Sequence, residues 1–168
     1  MASLTPGALV SYLQEGMRSG SAPPLGRRVS IGEWLPLLAA GIESFVAPDF
    51  VCIMVGAPGV RGTFRGLDGI YAGWRDWGEA FEDLTIEFEE LAEVPAGALI
   101  LARQRGVTRH DRMPMEQRSA LLLRLRDGRI AAAEFHLDRA TVQRAANEDA
   151  CPRHSSAFLA RDAGVKPC

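Results

Sequence analysis

The feature that most constrains this chain is a change of hydrophobic period a little past residue 80. Downstream of it, Leu84, Ile86 and Phe88 alternate with Thr85, Glu87 and Glu89, the pattern of a half-buried strand. Ala98 to Val107, Met115 to Arg126 and Arg129 to Leu137 read as three further strands. Asp127-Gly128, between the last two, is the strongest hairpin signal in the chain. Upstream, apolar residues recur at helical intervals. Helices gathered early and long antiparallel strands gathered late define an α+β chain.

The upstream half supplies the helices. Thr5-Pro6 is a capping hydroxyl followed by a proline whose fixed φ suits a first turn, and Leu9, Tyr12, Leu13 and Met17 share a face. Ser19 to Gly26 reads as a flexible linker. Ser30 and Glu33 have capping-box spacing, but that start would place Pro36 inside the helix, so a start nearer Glu33 is expected. Leu35, Leu38, Ile42 and Phe45 then form the buried stripe. Phe50 to Val55 is an apolar strand. Gly56, Gly59 and Gly62 form a glycine-rich turn, since no Gly-Lys-Ser/Thr follows to make a phosphate cradle. After a short strand at Thr63 to Arg65, a helix is expected over Leu67 to Glu82, with Ile70, Trp74, Trp77 and Phe81 as its core stripe. Asp138 opens a last short helix with Val142 and Ala146 on one side, and beyond Asn147 the chain turns polar and irregular. The expected organisation is an N-terminal helix and linker (1–32), a main domain (33–147) and a disordered tail (148–168).

With 19 basic and 21 acidic residues the net charge is −2, which gives no global reason to seek nucleic acid or an anionic membrane. Cys52, Cys151 and Cys168 are odd in number and widely spaced, which favours a reducing compartment, and Cys52 in its apolar run reads as a small buried hydrophobe. No basic residue precedes Arg18, as a signal peptide would need, and the apolar stretch Leu35 to Ile42 is too short to cross a bilayer. A cytoplasmic location is therefore expected.

Four strings carry a family resemblance: Phe64-Arg65-Gly66-Leu67-Asp68-Gly69-Ile70, Trp74-Arg75-Asp76-Trp77, Leu125-Arg126-Asp127-Gly128-Arg129-Ile130, and Glu134-Phe135-His136-Leu137-Asp138. Over roughly residues 33 to 147 the chain resembles the SnoaL-like branch of the nuclear transport factor 2-like superfamily. That resemblance implies a cone: a curved antiparallel sheet wrapped around three N-terminal helices, with a short C-terminal helix and a pocket inside. It does not imply one reaction, because the fold hosts cyclases, isomerases, epoxide hydrolases and proteins without known activity. Epoxide hydrolases similar to limonene-1,2-epoxide hydrolase carry Arg-x-Asp on a middle strand and a second Asp on the last strand. Here the matching positions read Arg103-Gln104-Arg105 and Phe135, and the strand Phe50 to Val55 offers no Tyr or Asn to place a water. That activity is not expected.

The same comparison suggests that Arg103, Arg105, Gln117 and Phe135 face the pocket, with Trp74 and Tyr71 as its walls and Trp77 and Phe81 in the core. Two guanidiniums on one strand face would hold a carboxylate, phosphate or enolate; the competing reading pairs them with Glu116, Glu134 or Glu87 across the sheet. His136 and Asp138 are two residues apart, yet Asp138 is explained as a helix cap. Asp49 and His136 are the candidate bases. No metal ligand set and no cofactor motif is evident. Three readings stay open: a binding protein for a small carbonyl-containing or anionic molecule, a cyclase or isomerase working next to a carbonyl, and a non-catalytic module that forms a homodimer through its convex sheet. A small-molecule ligand and a homodimer are expected partners; nucleic acid and membrane are not.

Overall fold

Strands that alternate over their whole length bury their apolar face by lying side by side, and here they form one seven-stranded sheet. The computed structural model describes residues 3–56 and 61–147; the tail 148–168 with Cys151 and Cys168, and Gly59 of the glycine-rich turn, lie outside the described residues. The N-terminal half comprises α1 (Pro6–Ser19), β1 (Arg28–Ser30), α2 (Ile31–Ile42), a 3-10 turn (Glu43–Phe45), β2 (Val46–Val55), β3 (Arg61–Arg65) and α3 (Asp68–Gly78). The C-terminal half comprises β4 (Phe81–Val94), β5 (Gly97–Thr108), β6 (Pro114–Arg126), β7 (Arg129–His136) and α4 (Arg139–Asn147). The sheet order is β1-β4-β5-β6-β7-β2-β3. Each pairing is antiparallel except that of β2 with β7.

The sheet is curved and unclosed, as the α+β reading requires. Irregular register between Glu82 and Thr85, Phe88 and Glu90, and Arg124 and Leu125 marks the bulges that bend it. The expected hairpin is present: Asp127 and Gly128 have φ of 52° and 71°, two successive left-handed residues joining β6 to β7. One inward row crosses the sheet through Leu91, Ile100, Leu121, Phe135 and Met54. The main core joins this row to α1, α2 and α3. Leu9, Val10 and Leu13 of α1 belong to that core, and β1 pairs with β4, so residues 6–30 are built into the same layer structure.

Two helix boundaries differ from expectation. Ser30 does cap α2, accepting from Glu33 N at 3.2 Å, and Pro36 lies inside the helix. The proline leaves the Gly32 carbonyl without its i+4 donor, but Gly32 and Pro36 are both exposed, so water can serve it. The helix expected to reach Glu82 ends at Gly78, and Phe81 opens β4. Ala80 O already accepts from Arg109 N at 2.9 Å, so the chain has joined the sheet there. Phe81 still packs on Trp77, ring centroids 5.2 Å apart, which is why the spacing mimics a helical stripe.

At the centre of the core Trp34 of α2, Trp74 of α3 and Phe135 of β7 meet edge to face. Their centroids are 5.0 Å (Trp34–Trp74), 5.8 Å (Trp34–Phe135) and 4.9 Å (Trp74–Phe135) apart. Such pairs contribute about 0.5–1.5 kcal/mol each beyond burial. Trp74 was expected at the pocket wall; it is 1% exposed and locked in this cluster, whereas Tyr71 of the same helix turns to solvent. Trp34→Ala should cost about 3–5 kcal/mol in urea unfolding, and Tyr71→Ala should stay within about 0.5 kcal/mol. Equal midpoints for the two variants would sink this assignment.

Candidate functional site

A cavity of about 390 Å³ lies between the end of β2, β3, α3 and the facing parts of β5 and β7. Met54, Phe64, Trp77 and Phe135 give it apolar walls, Asp76 is an exposed carboxylate on its lining, and Gln104 and His136 are its buried polar residues. Strand register places Gln104 inward, opposite Ile86 on one side and Gln117 on the other. Trp77 follows Trp74 by three positions, so it shares the inner side of α3 but stands nearer the cavity.

The chemistry of the site follows from one hydrogen bond. Trp77 Nε1 donates to Gln104 Oε1 at 2.9 Å. An indole nitrogen can only donate, so the bond settles which end of the amide is oxygen. Gln104 Nε2 is left with two donor hydrogens and no acceptor among the described residues, on a side chain 2% exposed that lines the cavity. The site offers a fixed hydrogen-bond donor in apolar surroundings.

A second cavity of about 130 Å³ lies beneath the α1–α2 connection, with Trp34, Phe88, Ile100 and Leu121 among its lining. Ser19 and Ser21, which also line it, both donate to Gly16 O and offer less to a ligand.

Several expected site residues stand elsewhere. Arg103 and Arg105 face outward, where Arg103 donates to Glu89 at 2.8 Å and Glu116 at 2.7 Å, and Arg105 to Glu116 at 2.9 Å and Glu87 at 3.1 Å. The ion-pair alternative describes them, with Glu89 in the place foreseen for Glu134. The inversion has a physical cause. Both faces of β5 are apolar, because Leu99 on the outer face is covered by Val142 and Ala146 of α4. Hydrophobic period therefore could not choose between Ala102 and Arg103 as the inward residue. Gln117 is on the inner face and half-buried, but outside the cavity lining; Phe135 does line it.

The two candidate bases are also engaged. Asp49 is exposed and paired with Arg126. His136 ends β7 at the cavity, but its Nε2 lies 3.1 Å from Glu134 Oε2, and alternation along the strand places His136 and Glu134 on the face opposite Phe135. Asp138 caps α4, accepting from Ala140 N at 3.0 Å. Cys52 is buried, which pushes its thiol up to about 12, so it is no nucleophile near neutrality. Gln104 and Trp77 escaped sequence reasoning because a lone glutamine between two arginines and a tryptophan in an apolar stripe carry no motif.

The outer face holds a charged lattice. Arg139 of α4 donates to Glu89 Oε2 at 2.5 Å and to Ala102 O at 2.6 Å, tying the helix to the sheet. Arg139, then Arg103, holds the Glu89 carboxyl below the usual range; Arg105 and Arg103 do the same for Glu116. Burial would raise Glu134, yet His136 and Arg124 outweigh it and leave it lowered. A carboxylate lowered in the folded state stabilises above its unfolded value and loses that contribution as pH falls through the folded one. Stability should therefore fall on acidification below the ordinary Glu value of 4.5. In Glu89→Gln the loss between pH 5 and pH 3 should be smaller than in wild type; an unchanged acid limb in thermal scans would contradict the lattice.

Among the described residues no group of three or more His, Cys, Asp and Glu could hold a metal ion, and no described helix is long and apolar enough to cross a membrane.

A family model described as the SnoaL-like domain matches residues 38–133. Among solved structures, a nuclear transport factor 2-like protein from Burkholderia thailandensis E264 is similar at 22% identity and TM-score 0.50, covering 84% of this chain and 96% of its own. A provisionally named SnoaL-like polyketide cyclase from Jannaschia sp. CCS1 is similar at 15% identity and TM-score 0.49, covering 85% and 92%. A nuclear transport factor 2-like protein of unknown function from Burkholderia pseudomallei K96243 is similar at 19% identity and TM-score 0.48, covering 86% and 97%. No curated protein matches the chain.

Proposed function

Because this chain belongs to the SnoaL-like domain family, we propose that it binds a small, mostly apolar molecule in the inner cavity through a neutral carbonyl oxygen. The observation that carries this reading is the Gln104 amide, oriented by Trp77 so that its unpartnered NH2 serves the cavity. A carbonyl oxygen entering the cavity would give that NH2 an acceptor. The volume of about 390 Å³ falls in the small-molecule range of roughly 300–1,000 Å³.

Of the two ligand classes expected from the sequence, the carbonyl is favoured over the anion. The arginines proposed to hold an anion are on the outer face in ion pairs, and among the described residues the cavity lining has no Lys or Arg. A buried anion without a cation would face a large desolvation penalty. A binding role is favoured over proton abstraction at Asp49 or His136, since each is engaged by a charged side chain, Arg126 and Glu134 respectively.

Gln104→Glu isolates the donor. It keeps the shape and the acceptor for Trp77 but replaces the NH2 by oxygen, which accepts only once the carboxyl is ionised, so the comparison is made above neutral pH. At about 100 times its dissociation constant a ketone should add roughly 2.7 kcal/mol to wild-type stability, read as a raised thermal midpoint. The same ketone should leave Gln104→Glu nearly unshifted, and carboxylates should shift neither protein. Stabilisation of both proteins alike by ketones would remove Gln104 from the site, and stabilisation by carboxylates alone would restore the anion reading.

A further inference from the structure

The walls of the cavity contain a device that its polar group does not explain. Phe64 of β3 points inward to the cavity, and glycines surround its ring and backbone. A methyl carbon at Gly62 would lie 2.6 Å from Phe64 Cε2, and one at Gly69 would lie 2.7 Å from the Phe64 carbonyl carbon. At Gly73 it would lie 3.0 Å from Met54 Cγ and 3.1 Å from Phe64 Cδ2. Gly69 and Gly73 sit four apart on α3, an 11-residue helix, where each glycine is unfavourable relative to alanine. Their lack of side chains lets α3 close onto β3 and seats the Phe64 ring in a recess. Gly62 and Gly73 line the cavity together with that ring.

We propose that Phe64, seated on Gly62, Gly69 and Gly73, is the size filter of the cavity, restricting its occupant to a flat molecule of one or two rings. The identity of that occupant as a ketone rests on the Gln104 reading; the filter itself does not. A dry apolar cavity of ~150 Å³ accommodates one benzene. On that scale about 390 Å³ accommodates roughly two rings. Phe64 lies against the α3 glycines, with Met54 beside it over Gly73, so it cannot withdraw further into the wall. Any bulk added at Gly73 drives Phe64 or Met54 toward the cavity.

Hydrocarbons without an acceptor read the filter independently of Gln104. Toluene, naphthalene and phenanthrene are titrated against wild type, Phe64→Ala, Phe64→Leu and Gly73→Ala, with binding followed by the thermal midpoint and by quenching of tryptophan fluorescence. Wild type should bind naphthalene and refuse phenanthrene. Phe64→Ala should gain phenanthrene by roughly tenfold or more relative to naphthalene. Gly73→Ala should lose naphthalene by roughly tenfold while keeping toluene. Phe64→Leu guards against a variant that fails to fold, and should shift preference toward phenanthrene by less than Phe64→Ala. The same size profile in wild type and folded Phe64 variants, or no hydrocarbon bound by any of the proteins, overturns the filter. The Gln104→Glu comparison on two-ring ketones fails or succeeds separately: a profile that moves with Phe64 while ketones ignore Gln104 leaves the filter and removes the carbonyl.

Discussion

The contact among Trp34, Trp74 and Phe135 governs what the rest of this structure can be. One ring comes from each of two helices and one from the last strand, so the cluster fixes the helices against the sheet at a single spacing. On one side the core closes over Phe88, which packs on Trp34 at 5.5 Å. On the other, Phe135 presents to the 390 Å³ cavity the part of its ring that the tryptophans do not cover. The cavity is thus space that large rigid rings prevent the chain from collapsing into. The arrangement has a cost, because Trp74 Nε1 is buried without a partner, which is expected to cost about 1–3 kcal/mol unless a water reaches it.

How much of this was legible in the sequence depends on whether one face or two had to be explained. Strand β4 and the Asp127-Gly128 turn were legible, because an alternating strand with one buried face has one admissible orientation. The family resemblance placed the fold, and the residue 38–133 match agrees with it. On β5 the reading failed at Arg103 and Arg105. Leu99 and Leu101 make its outer face as apolar as Ala98, Ile100 and Ala102 make its inner face, and the reason is α4, a helix forty residues downstream in the chain by rough count. No local pattern around Arg103 contains that information. Asp138, by contrast, was read as a cap, and the hydrogen bond to Ala140 N is there.

Trp77 and Trp74 show the same limit on a helix. Spacing of three places both on the inner side, but it does not say which meets the sheet and which meets open space. The glycines decide it. Gly69 and Gly73 draw α3 down onto β3, so Trp74 is driven into the aromatic cluster while Trp77 stays at the level of Gln104. Sequence reasoning about polar sites looks for charged or metal-binding residues. A neutral amide becomes significant only once its partner is known to be donor-only.

That asymmetry bears on what kind of chemistry the interior supports. The arginines of β5 and α4 neutralise glutamates on the outer face, while Gln104, the amide buried at the cavity, is neutral. Placing Arg103 inside would have required burying its counter-charge as well, and desolvating such a pair costs as much as the pair returns. An amide avoids that cost because it carries no net charge to desolvate. It also discriminates in a way a guanidinium would not, since an oxygen acceptor on an otherwise apolar molecule satisfies it without bringing in charge. In the proposed reading Phe64 limits size and Gln104 selects an acceptor, so selectivity is divided between a steric wall and a single donor.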